Sequence, residues 1–282
     1  MSVDSVGSLD IDPKETTRRE DELVNDLIQC SIDDGVATVT LCRPEKHNAL
    51  TQEMHVHLGT LWDRLRLDES VRSIVLCGAG VSFCSGMDVS LIGQRADGDS
   101  HMTYLRRLQD VRTRQLESPK PIVAALKGAV LGLGCEIAMA CDIRVAADNT
   151  RIAIPEVDMG LITDSGGLPL LQRSIGPSRT RYLAFTGAKI DAATALTWGA
   201  VDFVTAADTV EQKALDIARA IASKPPLAIA AAKRILDDLD GDKVRRGMTA
   251  ELFAQSALFD TTDHQEAKRA YRAGVTGKFE NR

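Results

Sequence analysis

The sequence predicts an α/β fold, on three observations. Short strand-like runs at 36–41, 71–77, 121–126 and 142–147 alternate with longer stretches of helical periodicity. Glycines gather at 128–134, between an apolar run and a small-residue helix, where a strand must turn sharply. From residue 209 onward the chain reads as helix almost throughout. Its 282 residues suffice for one large core with an appended piece. A chain that is 44% hydrophobic and 26% charged has ordinary globular composition, and a net charge of −6 argues against nucleic acid as its partner. Three regions follow: a disordered N-terminal extension at 1–26, a core at 27–205 and a helical C-terminal region at 206–282.

Taken in order, residues 1–26 are polar and acidic. They lack both the apolar segment of a secretory signal and the acid-poor, Arg-rich pattern of a mitochondrial presequence, so the expected location is cytoplasmic. Residues 27–42 alternate around Asp34-Gly35, a hairpin turn. Arg43-Pro44 ends the hairpin, 45–50 is a loop, and Thr51 is placed to cap a helix over 52–67. A strand at 71–77 leads into a glycine-punctuated loop at 78–86. Apolar residues 102, 105, 108, 111 and 116 predict a helix over 102–117, and 121–126 is a buried strand. Strands at 142–147 and 151–154 precede Pro155-Glu156 and a loop at 159–167. Helices are expected at 168–175, 178–186 and 192–198, then a strand at 201–204. The tail divides into helices at 210–223, 227–239, 244–259 and 262–273. Asp142 and Arg144 read as an ion pair near a strand start, and Asp88 and Asp158 as turn or salt-bridge acids.

The chemistry centres on residues 128–142. Where a strand turns through glycines into a helix, the first backbone N–H groups are unpaired and the helix dipole is positive, so an anion or a developing oxyanion is held there. Glu136 falls in the first turn of that helix, which puts a carboxylate beside those donors. The Gly132-Leu133-Gly134 pair lacks the third glycine of a dinucleotide fingerprint, and no Gly-Lys-Ser/Thr follows as in a P-loop. The six cysteines, 30, 42, 77, 84, 135 and 141, form no C-x-x-C pair and read as reduced, mostly buried thiols. No apolar run reaches membrane-spanning length. The histidines at 47, 55, 57, 101 and 264 have no ligand spacing, so no metal is expected, and no Gly-x-Ser-x-Gly surrounds Ser85.

Five stretches in order resemble the enoyl-CoA hydratase/isomerase family, the crotonase superfamily. They are Arg43-Pro-Glu-Lys-His-Asn-Ala-Leu50, Ser82-Phe-Cys-Ser-Gly-Met-Asp88, residues 128–142, Pro155-Glu156 with Met159-Gly-Leu161, and residues 259–272. The resemblance spans about 27–282 and implies a crotonase-like ββα spiral core with a helical C-terminal trimerisation region. It implies backbone N–H donors at Ser85 and Leu133 that polarise an acyl thioester carbonyl. It also implies catalytic acids at Glu136 and Glu156, and coenzyme A contacts at Lys46, His47, Ala49, Ser85, Gly86, Met87, Asp88 and Gly132. Coenzyme A enters as part of the acyl-CoA substrate, with no separate cofactor, and the implied assembly is a homotrimer or dimer of trimers, partly through 244–273. Neither nucleic acid nor membrane is an expected partner.

The chain departs from the usual hydratase pattern. Leu133 replaces glycine, Asp164 stands where glycine is usual, and Leu168-Pro169-Leu170 replaces Thr-Gln-Arg. Asp164, eight residues after Glu156, resembles the dienoyl-CoA isomerase branch. Three readings therefore stand. The first is hydration of 2-enoyl-CoA in fatty-acid metabolism by Glu136 and Glu156. The second is a Δ3,5-Δ2,4-dienoyl-CoA isomerase using Glu156 and Asp164, the alternative role for Asp164 being a loop cap or an arginine's partner. The third is a non-catalytic crotonase-fold binding protein.

Overall fold

The computed structural model describes residues 26–95, 97–280 and 282. The extension expected at 1–26 lies, apart from Asp26, outside the described residues. In chain order the strands are β1 Ile28–Asp33, β2 Val36–Leu41, β3 Ser73–Gly78, β4 Ile122–Leu126, β5 Ala129–Leu131, β6 Ile143–Ala147, β7 Arg151–Ala153, β8 Ile190–Asp191 and β9 Phe203–Thr205. The helices are α1 Gln52–Leu67, α2 His101–Leu116, α3 Leu133–Met139, α4 Gly167–Ile175, α5 Pro177–Thr186, α6 Ala192–Trp198, α7 Val210–Ala222, α8 Pro226–Leu258 and α9 Thr262–Ala273.

A six-stranded sheet runs β1-β2-β3-β4-β6-β9, and a three-stranded sheet runs β5-β7-β8. β1 and β2 pair antiparallel across the Asp34-Gly35 turn, with Ile28 opposite Leu41 and Asp33 opposite Val36. From β2 to β9 the pairing is parallel. β3 and β4 are buried at every position, as a parallel sheet covered on both faces requires. On one face Val75, Val123 and Val145 meet the small residues Ala214, Ala218 and Ala222 of α7. On the other, Ile74, Leu76 and Ala124 join Leu58, Leu61 and Trp62 of α1. Thr51 caps α1 as the sequence predicts, its Oγ1 accepting from Met54 N at 3.1 Å.

Several expectations need correction. The helices expected at 227–239 and 244–259 are one 33-residue helix, α8. Gly241 costs a helix interior only ~1 kcal/mol, too little to break it, and Asp240–Lys243 and Asp242–Arg245 pairs bridge the junction. The glycine-rich stretch contains a three-residue strand, β5, too short for periodicity to reveal. Asp142 and Arg144 do not pair with each other. Asp142 takes Lys233 at 2.5 Å, while Arg144 takes Asp202 at 3.4 Å. Asp88 does pair, with Arg43 at 2.8 Å. All six cysteines are free thiols. Among the described residues no helix is long and apolar enough to cross a membrane.

Candidate active site

Two loops are pressed into backbone contact by glycines. Gly134, in α3, approaches so closely that a Cβ there would lie 2.3 Å from Cys84 O. A Cβ on Gly86 would fall 2.8 Å from Leu131 O and 3.4 Å from Leu133 N. The contact is stitched by Cys84 N donating to Ala129 O and Leu131 N to Cys84 O, both at 3.0 Å. At the start of α3 the Leu133 N–H has no protein acceptor among the described residues, as the first turn of a helix leaves it. The Leu133 side chain is 5% exposed and belongs to the hydrophobic core.

Ser85 is a correction. Its backbone N–H donates to His47 O at 2.9 Å and is not free to polarise a carbonyl. Its hydroxyl donates to Lys46 O at 3.3 Å. Two residues on, the Met87 N–H is the one without an acceptor, on the strand segment that bridges Leu50. The free donors at this junction therefore include Met87 and Leu133.

The loop at 43–50 is fixed against the same segment. Asn48 is fully buried; its Nδ2 donates to Ala79 O at 2.9 Å and Ser82 O at 2.7 Å, and its Oδ1 accepts from Arg43 N at 2.8 Å. The His47 ring lies 3.0 Å from Ser82 Oγ. Lys46 and His47 are exposed, whereas Ala49 is buried. Asp88 is a structural acid: the Ser90 hydroxyl, then Arg43, hold its carboxyl down to about 2.

Behind Gly132 the acids converge. Gly132 has φ +53°, and a Cβ there would lie 2.8 Å from Glu156 Oε1. Glu156 stands on the 3-10 turn Pro155–Met159, half-buried, and its Oε2 is buried without a hydrogen-bond partner. Glu136 is 2% exposed; its Oε2 accepts from Ser165 N at 2.7 Å and Gly167 N at 3.0 Å, at the start of α4. The half-buried Asp164 accepts from Ser165 Oγ at 3.0 Å, and its backbone oxygen accepts from Gln109 Nε2 at 2.6 Å. The structure thus brings Glu136, Glu156 and Asp164 together. It adds Glu251 from α8, 3% exposed, which the sequence reading missed.

Burial raises the proton affinity of all four carboxyls. Glu136 rises well above the carboxylate range, first by burial and then by Asp164, Glu251 and Glu156, with Arg112 opposing. Glu156 is pushed up to about 8, again by burial first, with Asp164, Glu251 and Asp158 adding. Glu251 rises to about 7 and Asp164 to about 6, both by burial and against hydrogen bonds that hold the charged form. Arg112, 1% exposed, donates from Nη1 to Gln115, and its Nε has no acceptor. Burial lowers it to about 10, and Glu136 heads the acids that hold its charge. Near neutral pH the four acids carry fewer than four charges, so donor and acceptor carboxyls coexist.

Arg112, Gln109, Gln255 and Glu251 carry one legible signal. Arg112 follows Leu105 and Leu108 on the buried side of α2, and Glu251 sits between Met248 and Leu252 on that of α8. A charged residue on an apolar stripe is a polar group with an appointed partner. An open surface groove of about 780 Å³ bordered by Arg151, Arg179, Tyr182 and Trp198 holds none of these acids.

A family model described as enoyl-CoA hydratase/isomerase matches residues 31–282. The chain is 33% identical over 241 residues to the probable enoyl-CoA hydratase 2, mitochondrial, of Arabidopsis thaliana, covering 85% of this chain and 79% of that protein. It is 27% identical over 247 residues to the Delta(3,5)-Delta(2,4)-dienoyl-CoA isomerase, mitochondrial, of Dictyostelium discoideum, covering 84% of each. An enoyl-CoA hydratase structure from Mycobacterium avium subsp. paratuberculosis K-10 superposes with a TM-score of 0.82 at 26% identity, covering 90% of this chain and 99% of that one.

Proposed function

The chain belongs to the enoyl-CoA hydratase/isomerase family, and we propose that it hydrates 2-enoyl-CoA thioesters through an enolate held by two backbone N–H groups. The thioester carbonyl oxygen accepts from Met87 and Leu133, free donors where the two loops meet. Preorganised donors of this kind stabilise the developing oxyanion by several kcal/mol. Glu136, held by the N–H groups of Ser165 and Gly167, orients water and takes its proton in the state of the cluster in which the Glu136 carboxyl is charged and a neighbouring acid holds the shared proton. Glu156 returns a proton to the α-carbon. The observation that carries this reading is its buried, unpartnered Oε2, on a carboxyl whose Oε1 lies beside Gly132 and that burial keeps protonated up to about 8. The exposed Lys46, on the loop whose His47 O and Lys46 O engage Ser85, suits coenzyme A phosphates. The exposed apolar residues of α8 support assembly as a trimer or dimer of trimers.

The test is loss of the conjugated-thioester absorbance with a short 2-enoyl-CoA. Glu136→Gln and Glu156→Gln should each lower turnover at least ~10²-fold while the variants remain folded. Near-full activity in either one removes that residue from the mechanism.

One observation favours a second reading. Asp164 lies in the same buried cluster with a carboxyl near pH 6, so it can exchange a proton at working pH. With Glu156 it would move a proton along a 3,5-dienoyl thioester to give the 2,4-isomer. Asp164→Asn should then abolish that shift and spare 2-enoyl hydration. A wild type that hydrates and never shifts the diene makes Asp164 structural.

A further inference from the structure

Four consecutive N–H groups open α4, and two carboxylates from distant elements divide them. Ser165 N and Gly167 N donate to Glu136 Oε2. Gly166 N and Leu168 N donate to Glu251, at 2.7 Å to Oε2 and 2.8 Å to Oε1. The Thr163 hydroxyl adds a fifth donor, 2.6 Å from Glu251 Oε1. Like charges so close repel, and five donors with the positive end of a helix offset that repulsion.

We infer that Glu251, on α8, is a positioning residue for the proposed thioester chemistry: through the N–H groups of Gly166 and Leu168 and the Thr163 hydroxyl it clamps the loop that holds Glu136 in place. This rests on the proposed function, since Glu251 acts through Glu136 and Glu156.

The clamp is wider than one side chain. Met248, Glu251 and Gln255 share a face of α8, at helical spacing. Gln109 Nε2 donates at 2.6 Å to both Met248 O and Asp164 O, tying α8 and α2 to the loop. Gln255 Oε1 accepts from Ile162 N at 2.9 Å, and its side chain also bonds the Asp164 carboxyl. The segment from Ile162 to Leu168 therefore takes its shape from α8 on one side and from Glu136 on the other.

The charged groups around Glu251 are Glu136 on α3, Glu156 on the turn after β7, Asp164 on the clamped loop and Arg112 on α2. Only Arg112 is positive, and it faces Glu136 and Asp164. Glu251 raises the proton affinity of Glu136 and Glu156. Neutralising it makes both give up protons more readily, so both limbs of the pH–rate profile move to lower pH.

The test is Glu251→Gln in the full chain, with 2-enoyl-CoA as the substrate. We expect kcat to fall about 10-fold, KM to change less than about 3-fold and both limbs to move down by roughly half a pH unit. Hydrogen exchange of the 163–170 segment should accelerate, with the sheet strands unchanged. Glu251→Asp, which keeps the charge, should restore the limbs. If Glu251→Gln does not fold, Thr163→Val weakens the same carboxylate's anchorage, and faster exchange at 163–170 with lowered kcat is expected. Unchanged limbs and unchanged exchange in a folded variant overturn the proposal. A wild type inactive with every thioester, but whose variant still loses protection at 163–170, defeats the proposed function and leaves the clamp standing.

Discussion

Gly132 shows how little room separates function from failure at one residue. Its φ of +53° suits glycine, and a Cβ would come within 2.8 Å of Glu156 Oε1. Gly132→Ala should lower kcat at least ~10-fold by displacing the Glu156 carboxyl, read by steady-state assay beside a thermal melt that verifies folding. The raised carboxyls also predict how stability follows pH. Their native proton affinities exceed those of the unfolded chain, so the folded state holds extra protons between the ordinary carboxylate range and about 8. Stability is full below that window and falls as pH rises through it. Melting temperatures near pH 5 should exceed those near pH 8, and Glu156→Gln should flatten the difference. Glu136, Glu156 and Asp164 were legible because each lies in a recognisable local motif. Glu251 and Arg112 were not, since their importance arises only when distant helices bring them together. Ser85 was misassigned for a related reason. Only the fold reveals that His47 O engages its N–H, leaving Met87 free.

Among the elements, α8 departs furthest from its sequence pattern. Gly241 invited a break, yet the helix runs unbroken from Pro226 to Leu258. A Cβ at Gly241 would meet only the end of the flexible, exposed Arg245 side chain, at 3.2 Å. Gly241→Ala should therefore stabilise the protein by up to ~1 kcal/mol, measured by denaturant unfolding. A loss of stability would mean that the glycine serves a bend. The core strands were legible because parallel, doubly covered strands are continuous apolar runs, as in the fully buried β4. β5 and β8, of three and two residues, are defined by pairing with β7 rather than by their own composition. Their existence follows from tertiary contact, which no local window contains.

At the scale of the whole molecule, α8 presents Leu227, Ile235, Leu236 and Leu239 to solvent at 62–85% exposure. That run lies N-terminal to the 244–273 segment the sequence pointed to, which is instead partly engaged by the core through Val244 and Met248. Sedimentation should give a multiple of the 30.5 kDa chain mass, three- or sixfold, and Leu236→Glu with Leu239→Glu should shift it toward monomer. A wild type sedimenting as monomer at micromolar concentration would refute assembly. The shared start of α4 has a kinetic consequence. Ser165 reaches Glu136 across 29 positions of chain, whereas Gly166 reaches Glu251 across 85. The near partner closes a short loop, and the far one must wait for α8 to arrive. On a ribosome the acid loop is therefore held by one hand until α8 has been made. In refolding, recovery of catalysis should lag behind recovery of helical ellipticity, because the site is finished by a contact that closes 85 positions of chain.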